Sequence, residues 1–345
     1  MTATPKDLPE TPHRRFSPLD VADVLSDVLR VIHLSGAIFF HADVALPWAV
    51  RTVSAHELAQ ALLPSAKHLL LFHIVEHGHC RIALKGADSL ELATGDIVLL
   101  PYGDEHTLGS DLSLAPIPMK QILKPTLGGL SKLTFGQGPQ RTRVICGFLE
   151  CDELLFNPLY RALPESIHVR MSEESGSSLL TATVRSIVDE IREDQPGAAC
   201  VLSRLSELLF IEVLRRYMAG LELNAVGWLN ALHDPVVGRA LQLLHTSPAY
   251  PWTVTDLARQ VGASRSLLAD RFRVMVGQPP MRYLSSWRLQ LGAEMMRDHR
   301  HGIAAVATHV GYDSEAAFNR AFKRRLGQPP ATWRDRMRSP SNTRG

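Results

Sequence analysis

Apolar residues follow two spacings along the chain, and the change falls near residue 170. Before it they form short or alternating runs at 37–40, 69–75, 80–84 and 96–100, separated by Gly, Pro and charged clusters. Such runs predict β-strands, and several together predict a small barrel. Residues 73–84 read as a hairpin turning over 76–79. From 178 onward the period becomes helical. Leu180, Val184, Ile187, Val188 and Ile191 make one stripe, Asp194-Gln195-Pro196-Gly197 breaks it, and Leu202, Leu205, Leu209, Val213 and Tyr217 make another. The pattern predicts an antiparallel helical hairpin over 178–220, whose apolar face either seals the barrel or joins two subunits. The mixed stretch 220–234 reads as a connection between domains.

The last third of the chain repeats itself. Leu257, Ala258 and Val261 lead through Gly262 to Ser264, Leu268 and Phe272; Val306, Ala307 and Val310 lead through Gly311 to Ser314, Phe318 and Phe322. Each copy ends in Gly-Gln-Pro-Pro, at 277–280 and again at 327–330. Ala258 and Ala307 are 49 positions apart but Phe272 and Phe322 are 50, so the second turn carries one extra residue. A repeat kept in apolar spacing and turn glycines is one supersecondary unit used twice. Thr253 and Asp256 cap a first helix, Gly262 permits the left-handed turn, and Ser264 caps a second helix laid across the first. These features predict helix-turn-helix units at 253–273 and 302–325, joined by a helix through Leu284, Trp287, Leu291 and Met295. With Leu268 and Phe272 turned inward, Arg265, Ser266, Ala269, Asp270 and Arg273 are left on other faces; in the second unit Glu315, Ala316, Asn319, Arg320 and Lys323 are left outward. Asn319 and Arg320 suit adenine and guanine edges, because amide and guanidinium bond bidentately to them. Readers about 34 Å apart would meet successive major grooves.

Through Ala258–Phe272, Trp287-Arg288-Leu289 with Ala293, and Val310–Lys323, residues 231–338 resemble the DNA-binding domain of the AraC/XylS family of bacterial transcription regulators. The resemblance implies base contacts at Ser266, Ala269 and Asp270 and at Glu315, Ala316, Asn319 and Arg320. Asp270 departs from the pattern, since a basic or neutral side chain is usual there; its carboxylate must accept from a cytosine amine or be repelled by phosphate. Charge agrees: from 231 onward 17 Lys and Arg face 8 Asp and Glu, whereas residues 1–230 hold 20 against 27. A basic module on an acidic one fits phosphate binding confined to one end.

Gly95, Pro101, Gly103 and His106 fit the spacing G-x5-P-x-G-x2-H of the second cupin motif. With Gly36–Phe40, Pro47-Trp48, Leu163-Pro164 and His168-Val169-Arg170, residues 18–170 resemble the cupin sensor domain of one branch of AraC-type regulators. His73 and His106 are the plausible pair for a divalent metal, with His41, His56, His68, His77 and His79 as extras. The first cupin motif is broken, however: His77-Gly78-His79 falls on the expected turn and no Glu follows at the right distance. Polar core or surface histidines are the alternative. Trp48 and Phe72 read as core, while the barrel mouth, with Trp48, His73 and His106, is the default place for an effector.

Cys80, Cys146, Cys151 and Cys200 show no CxxC pairing, so zinc ribbons and disulfide frameworks are not expected; Cys146 and Cys151 would be the pair for redox sensing. No apolar run reaches membrane-spanning length, and the charged, Pro-rich start lacks a secretory segment, which places the product in the cytoplasm. The expectation is an α+β multidomain protein. It comprises an N-terminal tail (1–17), a cupin-like β-barrel, the helical hairpin and an all-α domain with two helix-turn-helix motifs. Its partners would be double-stranded promoter DNA, a small-molecule effector, a second copy of the chain and RNA polymerase, with no membrane. An enzymatic cupin fused to a DNA binder and an effector-free architectural protein are the competing classes.

Overall fold

The computed structural model describes residues 23–32, 34–62, 68–122, 131–151, 158–171, 179–193, 195–222, 226–297 and 300–338, and the side chains of Ile38, Phe39, Ala61 and Leu62 are not among those described. The expected tail 1–17 and Asp194 of the hairpin break lie outside these residues.

Eleven strands build the N-terminal part of the described chain: β1 (Leu34–Ala45), β2 (Ala49–Arg51), β3 (His68–His77), β4 (His79–Leu84), β5 (Leu90–Ala93), β6 (Ile97–Leu100), β7 (His106–Gly109), β8 (Ile117–Pro118), β9 (Ser131–Phe135), β10 (Arg141–Cys151) and β11 (Ile167–Val169). They pair as two sheets, β11-β6-β3-β10-β1-β9 and β5-β4-β7-β2-β8. Among the described residues the expected closed barrel is therefore a sandwich of two open sheets. The expected hairpin is present, but Glu76 and His77 remain in β3, and Gly78 alone turns the chain at φ +82°.

The larger sheet is buried on both faces, which is why β3 is an almost unbroken apolar run. Leu69, Leu71 and Val75 face the second sheet; Leu70, Phe72 and Ile74 face helices. The Phe72 ring lies over Gly147 on the neighbouring strand, where any side chain would overlap it. Helices supply the other face: α5 (Leu179–Glu193) and α6 (Ala198–Ala219) bury Leu180, Ile187, Leu202, Leu209 and Val213 against this sheet. Gly36 permits the contact, since a Cβ there would come within 2.4 Å of Ser206 Cβ. The hairpin's apolar stripes are thus used within one chain. Glu76 ties the layers together, pairing with His41 at 2.7 Å and Arg192 of α5 at 2.6 Å. Burial raises its carboxyl, but the bonds from His41 and Arg192 outweigh it and hold the group at about 2. Shorter helices α1 (Val24–Val31), α2 (Ala55–Leu62), α3 (Met119–Ile122) and α4 (Pro158–Ala162) complete this half.

The C-terminal half is helical: α7 (Trp228–Ala231), α8 (Val237–Thr246), α9 (Val254–Gln260), α10 (Arg265–Val276), α11 (Pro280–Arg297), α12 (Ile303–His309), α13 (Glu315–Leu326) and α14 (Pro330–Arg338). The stretch expected as a plain connection instead contains α7, because Trp228, Leu229 and Ala231 bury their side chains in the same core as α8 and α10. Helix α1 crosses into this half. Val24, Val28 and Val31 pack there, Gln290 Nε2 of α11 donates to Val31 O at 3.2 Å, and Asp27 lies 3.4 Å from the buried His245 of α8. No helix among the described residues is long and apolar enough to cross a membrane.

Candidate functional site

Each helix-turn-helix is assembled from local signals. Thr253 accepts from Asp256 N at 3.0 Å to cap α9, and Ser264 and Ser314 accept from the amides of Leu267 and Ala317, both at 3.2 Å, to cap α10 and α13. Gly262 and Gly311 make the turns at φ +70° and +90°. At the far ends Gly277 and Gly327 are left-handed caps whose amides donate to Arg273 O and Lys323 O, and Pro280 and Pro330 open the next helices. That is the reason Gly-Gln-Pro-Pro recurs: glycine ends one helix, and proline, lacking an amide hydrogen, starts the next. The repeat continues into a third buried ring. Tyr283 packs edge-on to Phe272 at 5.6 Å between ring centres, and Trp333, fifty positions on, packs edge-on to Phe322 at 5.9 Å.

The two units are fixed to one another. Gly292 of α11 lies against the Phe318 ring of α13, where a Cβ would come within 2.9 Å. Arg288 donates to Pro248 O and Tyr250 O at 2.6 and 2.8 Å, and Gly311 closes on the backbone of Ala249 in the same loop. The second turn is thereby seated on the loop that enters the first unit. Helix α11, with 18 residues, is about 27 Å long.

Of the expected DNA-facing residues, Arg265, Ser266, Asp270 and Arg273 on α10 and Glu315, Ala316, Arg320 and Lys323 on α13 are exposed. Ala269 and Asn319 are half-buried, and Asn319 Oδ1 is enclosed with no hydrogen-bond donor among the described residues, so Arg320 is the better placed of the two expected base readers. Arg271, between them in sequence, is held by Asp234 at 2.8 Å. Leu267 and Val274, which the apolar spacing of the chain does not single out, leave 49% and 59% of their surface exposed on α10. Seven residues apart, they fall on one row of the helix outside the core pair Leu268 and Phe272.

Inside the sandwich, β3 and β7 bring His73 and His106 together, with Nε2 atoms 2.7 Å apart. Cys146, the register partner of His73 on β10, places Sγ 2.9 Å from His73 Nδ1. His106 Nδ1 lies 2.8 Å from Asp104 O and 3.0 Å from Thr52 Oγ1. A carbonyl only accepts, so His106 carries its hydrogen on Nδ1; Nε2 then accepts from His73 Nε2, and His73 Nδ1 accepts from the Cys146 thiol. Burial holds both imidazoles neutral, His73 well below its ordinary value and His106 down to about 4. Every ring nitrogen is already engaged, and two nitrogens at hydrogen-bond distance leave no room for an ion between them. The pair therefore does not fit a metal as arranged, and no group of three His, Cys, Asp or Glu among the described residues converges on one point. The other histidines are dispersed: His41 is on Glu76, His56 on Gln60, His68 against the Tyr160 ring, and His77 and His79 are exposed beside Gly78.

Cys146 and Cys151 do not form the redox pair considered above. Five residues apart on one strand, they face opposite sides, about 16 Å apart along it. Burial also raises the Cys146 and Cys80 thiols, the latter to about 12. Beside this cluster a small apolar gap of about 30 Å³ is lined by Phe40, Trp48, Val50, Leu108, Met119 and Cys146 among others, and Trp48 Nε1 is buried with no partner among the described residues. Phe72 faces the helices instead.

The family model described as Cupin matches residues 23–219, and that described as Helix-turn-helix domain matches 257–336. An AraC-like transcription regulator described from Streptomyces lividans is 33% identical over 92% of this chain and all of its own length. Another, from Streptomyces antibioticus, is 35% identical over 79% of this chain and 89% of its own. The HTH-type transcriptional regulator AlkR of Acinetobacter baylyi is 31% identical over 90% of this chain and 99% of its own.

Proposed function

We propose, for a chain that belongs to the AraC-like transcription regulators, a division of labour between promoter reading by α10 and α13 and effector sensing between the sheets. The protein is a DNA-binding transcription regulator. The observation that carries the detailed reading is the pair of recognition helices, each with an exposed polar face, held to one another through α11, Arg288 and Gly311. Base contacts come from Ser266, Ala269 and Asp270 on α10 and from Glu315, Ala316 and Arg320 on α13, with Asn319 contributing its exposed part. Leu267 suits a thymine methyl. Arg265, Arg273 and Lys323 contact phosphates. Two readers on one stiff helix then span successive grooves of double-stranded promoter DNA.

The expected test is an equilibrium titration of the full chain against a promoter fragment with bulk competitor. Arg320→Ala should weaken specific binding by about 1–3 kcal/mol and relax the choice at one base pair. An unchanged affinity and footprint would remove Arg320 from the interface.

The effector would be a small, largely apolar molecule with one hydrogen-bond acceptor, entering beside Trp48, whose indole N–H has no partner among the described residues. His73 and His106 support that wall from behind rather than line it. Because the gap is near water size, binding requires the sheets to part, and the effector acts through that difference between two arrangements. Elemental analysis and turnover assays separate this metal-free, non-enzymatic sensor from a metal-dependent enzyme. Cytoplasmic residence, a homodimer and contact with RNA polymerase complete the reading; sedimentation with and without DNA tests the dimer.

A further inference from the structure

Helices α10 and α13 are one helix used twice, residue for residue. Each has twelve residues, starts at a capping serine, ends at a left-handed glycine and buries its fourth and eighth side chains, Leu268 and Phe272 in one and Phe318 and Phe322 in the other. Every position of α13 therefore corresponds to the position of α10 fifty residues earlier. Within that match the charge is reversed at two exposed positions. Arg265 opens α10 where Glu315 opens α13, and Asp270 is the sixth residue of α10 where Arg320 is the sixth of α13. The sixth residue is two beyond a buried one, about 200° around the helix, so Asp270 and Arg320 point away from their cores in the same direction. Helix stability does not account for the reversal. Glu315 suits the positive end of a helix dipole, but Arg265 stands at that end with the sign of the dipole itself. Other carboxylates of the DNA-binding half hold arginines, as Asp234 does Arg271, Asp256 does Arg259 and Glu294 does Arg297; Asp270 and Glu315 enter no ion pair among the described residues.

We infer that the two helices read the same G·C base pair in opposite senses. Asp270 accepts from a cytosine amine at the step of its half-site where Arg320, in the other, donates to guanine, each half-site being seen from its own helix. In the major groove guanine offers O6 and N7 to a guanidinium, and cytosine offers its N4 amine to a carboxylate. The inference rests on α10 and α13 being the promoter readers and adds what they read. Its consequence is a fixed order of the two units along the promoter. Two like readers could bind one helical turn out of register, each in the other's half-site. The reversed charges oppose that slip, because it sets the Asp270 carboxylate against two guanine acceptors and the Arg320 guanidinium against a cytosine donor.

The test is selection by the full chain from duplexes randomised over about three helical turns, with wild type, Asp270→Ala, Asp270→Arg and Arg320→Ala compared and circular dichroism confirming that each is folded. Wild type should enrich two chosen steps about 10 base pairs apart. The step that relaxes in Asp270→Ala should be a cytosine and the step that relaxes in Arg320→Ala a guanine, each variant losing about tenfold in preference for the selected duplex over competitor. Asp270→Arg should change the first step from cytosine to guanine. Turning over both base pairs in the selected duplex should cost the wild type about a hundredfold. An Asp270→Ala motif identical to that of wild type, or relaxed at a base other than cytosine, overturns the inference. So does uniformly tighter binding by Asp270→Ala to all duplexes, which would make the carboxylate a repellent of phosphate alone. If Arg320→Ala still relaxes a guanine in those cases, the promoter reading stands without the inference; if Arg320→Ala also changes nothing, or wild type enriches no motif, both fall.

Discussion

Asp104 O can only accept, and that constraint sets the tautomer of His106, then that of His73, then the direction of the Cys146 thiol. Replacing Cys146 with Val removes the last donor and leaves His73 Nδ1 buried with an unmet lone pair. The variant should lose about 1–3 kcal/mol of stability in chemical denaturation of the full chain. The same pair has a pH signature. Both histidines are lowered from 6.5, His106 to about 4, so the unfolded chain takes up protons before the native one does. Stability that is complete above the ordinary value is then lost progressively as pH falls through that window. Denaturation midpoints should drop between about pH 7.5 and about pH 5, and His106→Gln should flatten the drop. His245, also lowered by burial, contributes with the same sign, so some slope should remain.

Among the elements, the two turn glycines separate backbone strain from packing. Both Gly262 and Gly311 have positive φ, but a Cβ at Gly262 meets nothing within 4 Å, whereas one at Gly311 would come within 2.6 Å of Ala249 Cα. Gly262→Ala should cost about 1–2 kcal/mol, the left-handed penalty alone. Gly311→Ala should cost more and should also weaken specific DNA binding, because it pushes the second unit off the loop that seats it; equal losses in the two variants would argue against that seating. These units were legible in the sequence because their signals are local: a hydroxyl cap, a turn glycine and a Pro-Pro start lie within a few residues of what they govern. The inward histidines were legible only as candidates. That His73 faces Cys146, 73 positions on, follows from the register of β3 on β10, and that it meets His106, 33 positions on, follows from the packing of one sheet on the other. The half-burial of Asn319 escaped for a related reason, since helical spacing gives a residue's direction but not what lies beside it. Helix α7 was hidden because four residues are too few to show a period.

For the whole molecule, charge is sorted by function, with the surplus of Lys and Arg confined to the part beyond residue 231. Salt dependence of promoter binding should therefore originate there. Lys323→Ala should weaken binding to all sequences alike and reduce the log–log salt slope by about 1, whereas loss of a base contact leaves that slope nearly unchanged. Binding isotherms at several salt concentrations distinguish the two.

Helix α1 adds a different consequence. Its valines fill a furrow over α8 and α11, so the core of the DNA-binding half is completed by eight residues that precede it by some two hundred positions. A fragment begun at the helix-turn-helix boundary would leave that furrow bare, and such a truncated piece should prove sticky and poorly behaved until a peptide spanning 23–32 is supplied to it in trans.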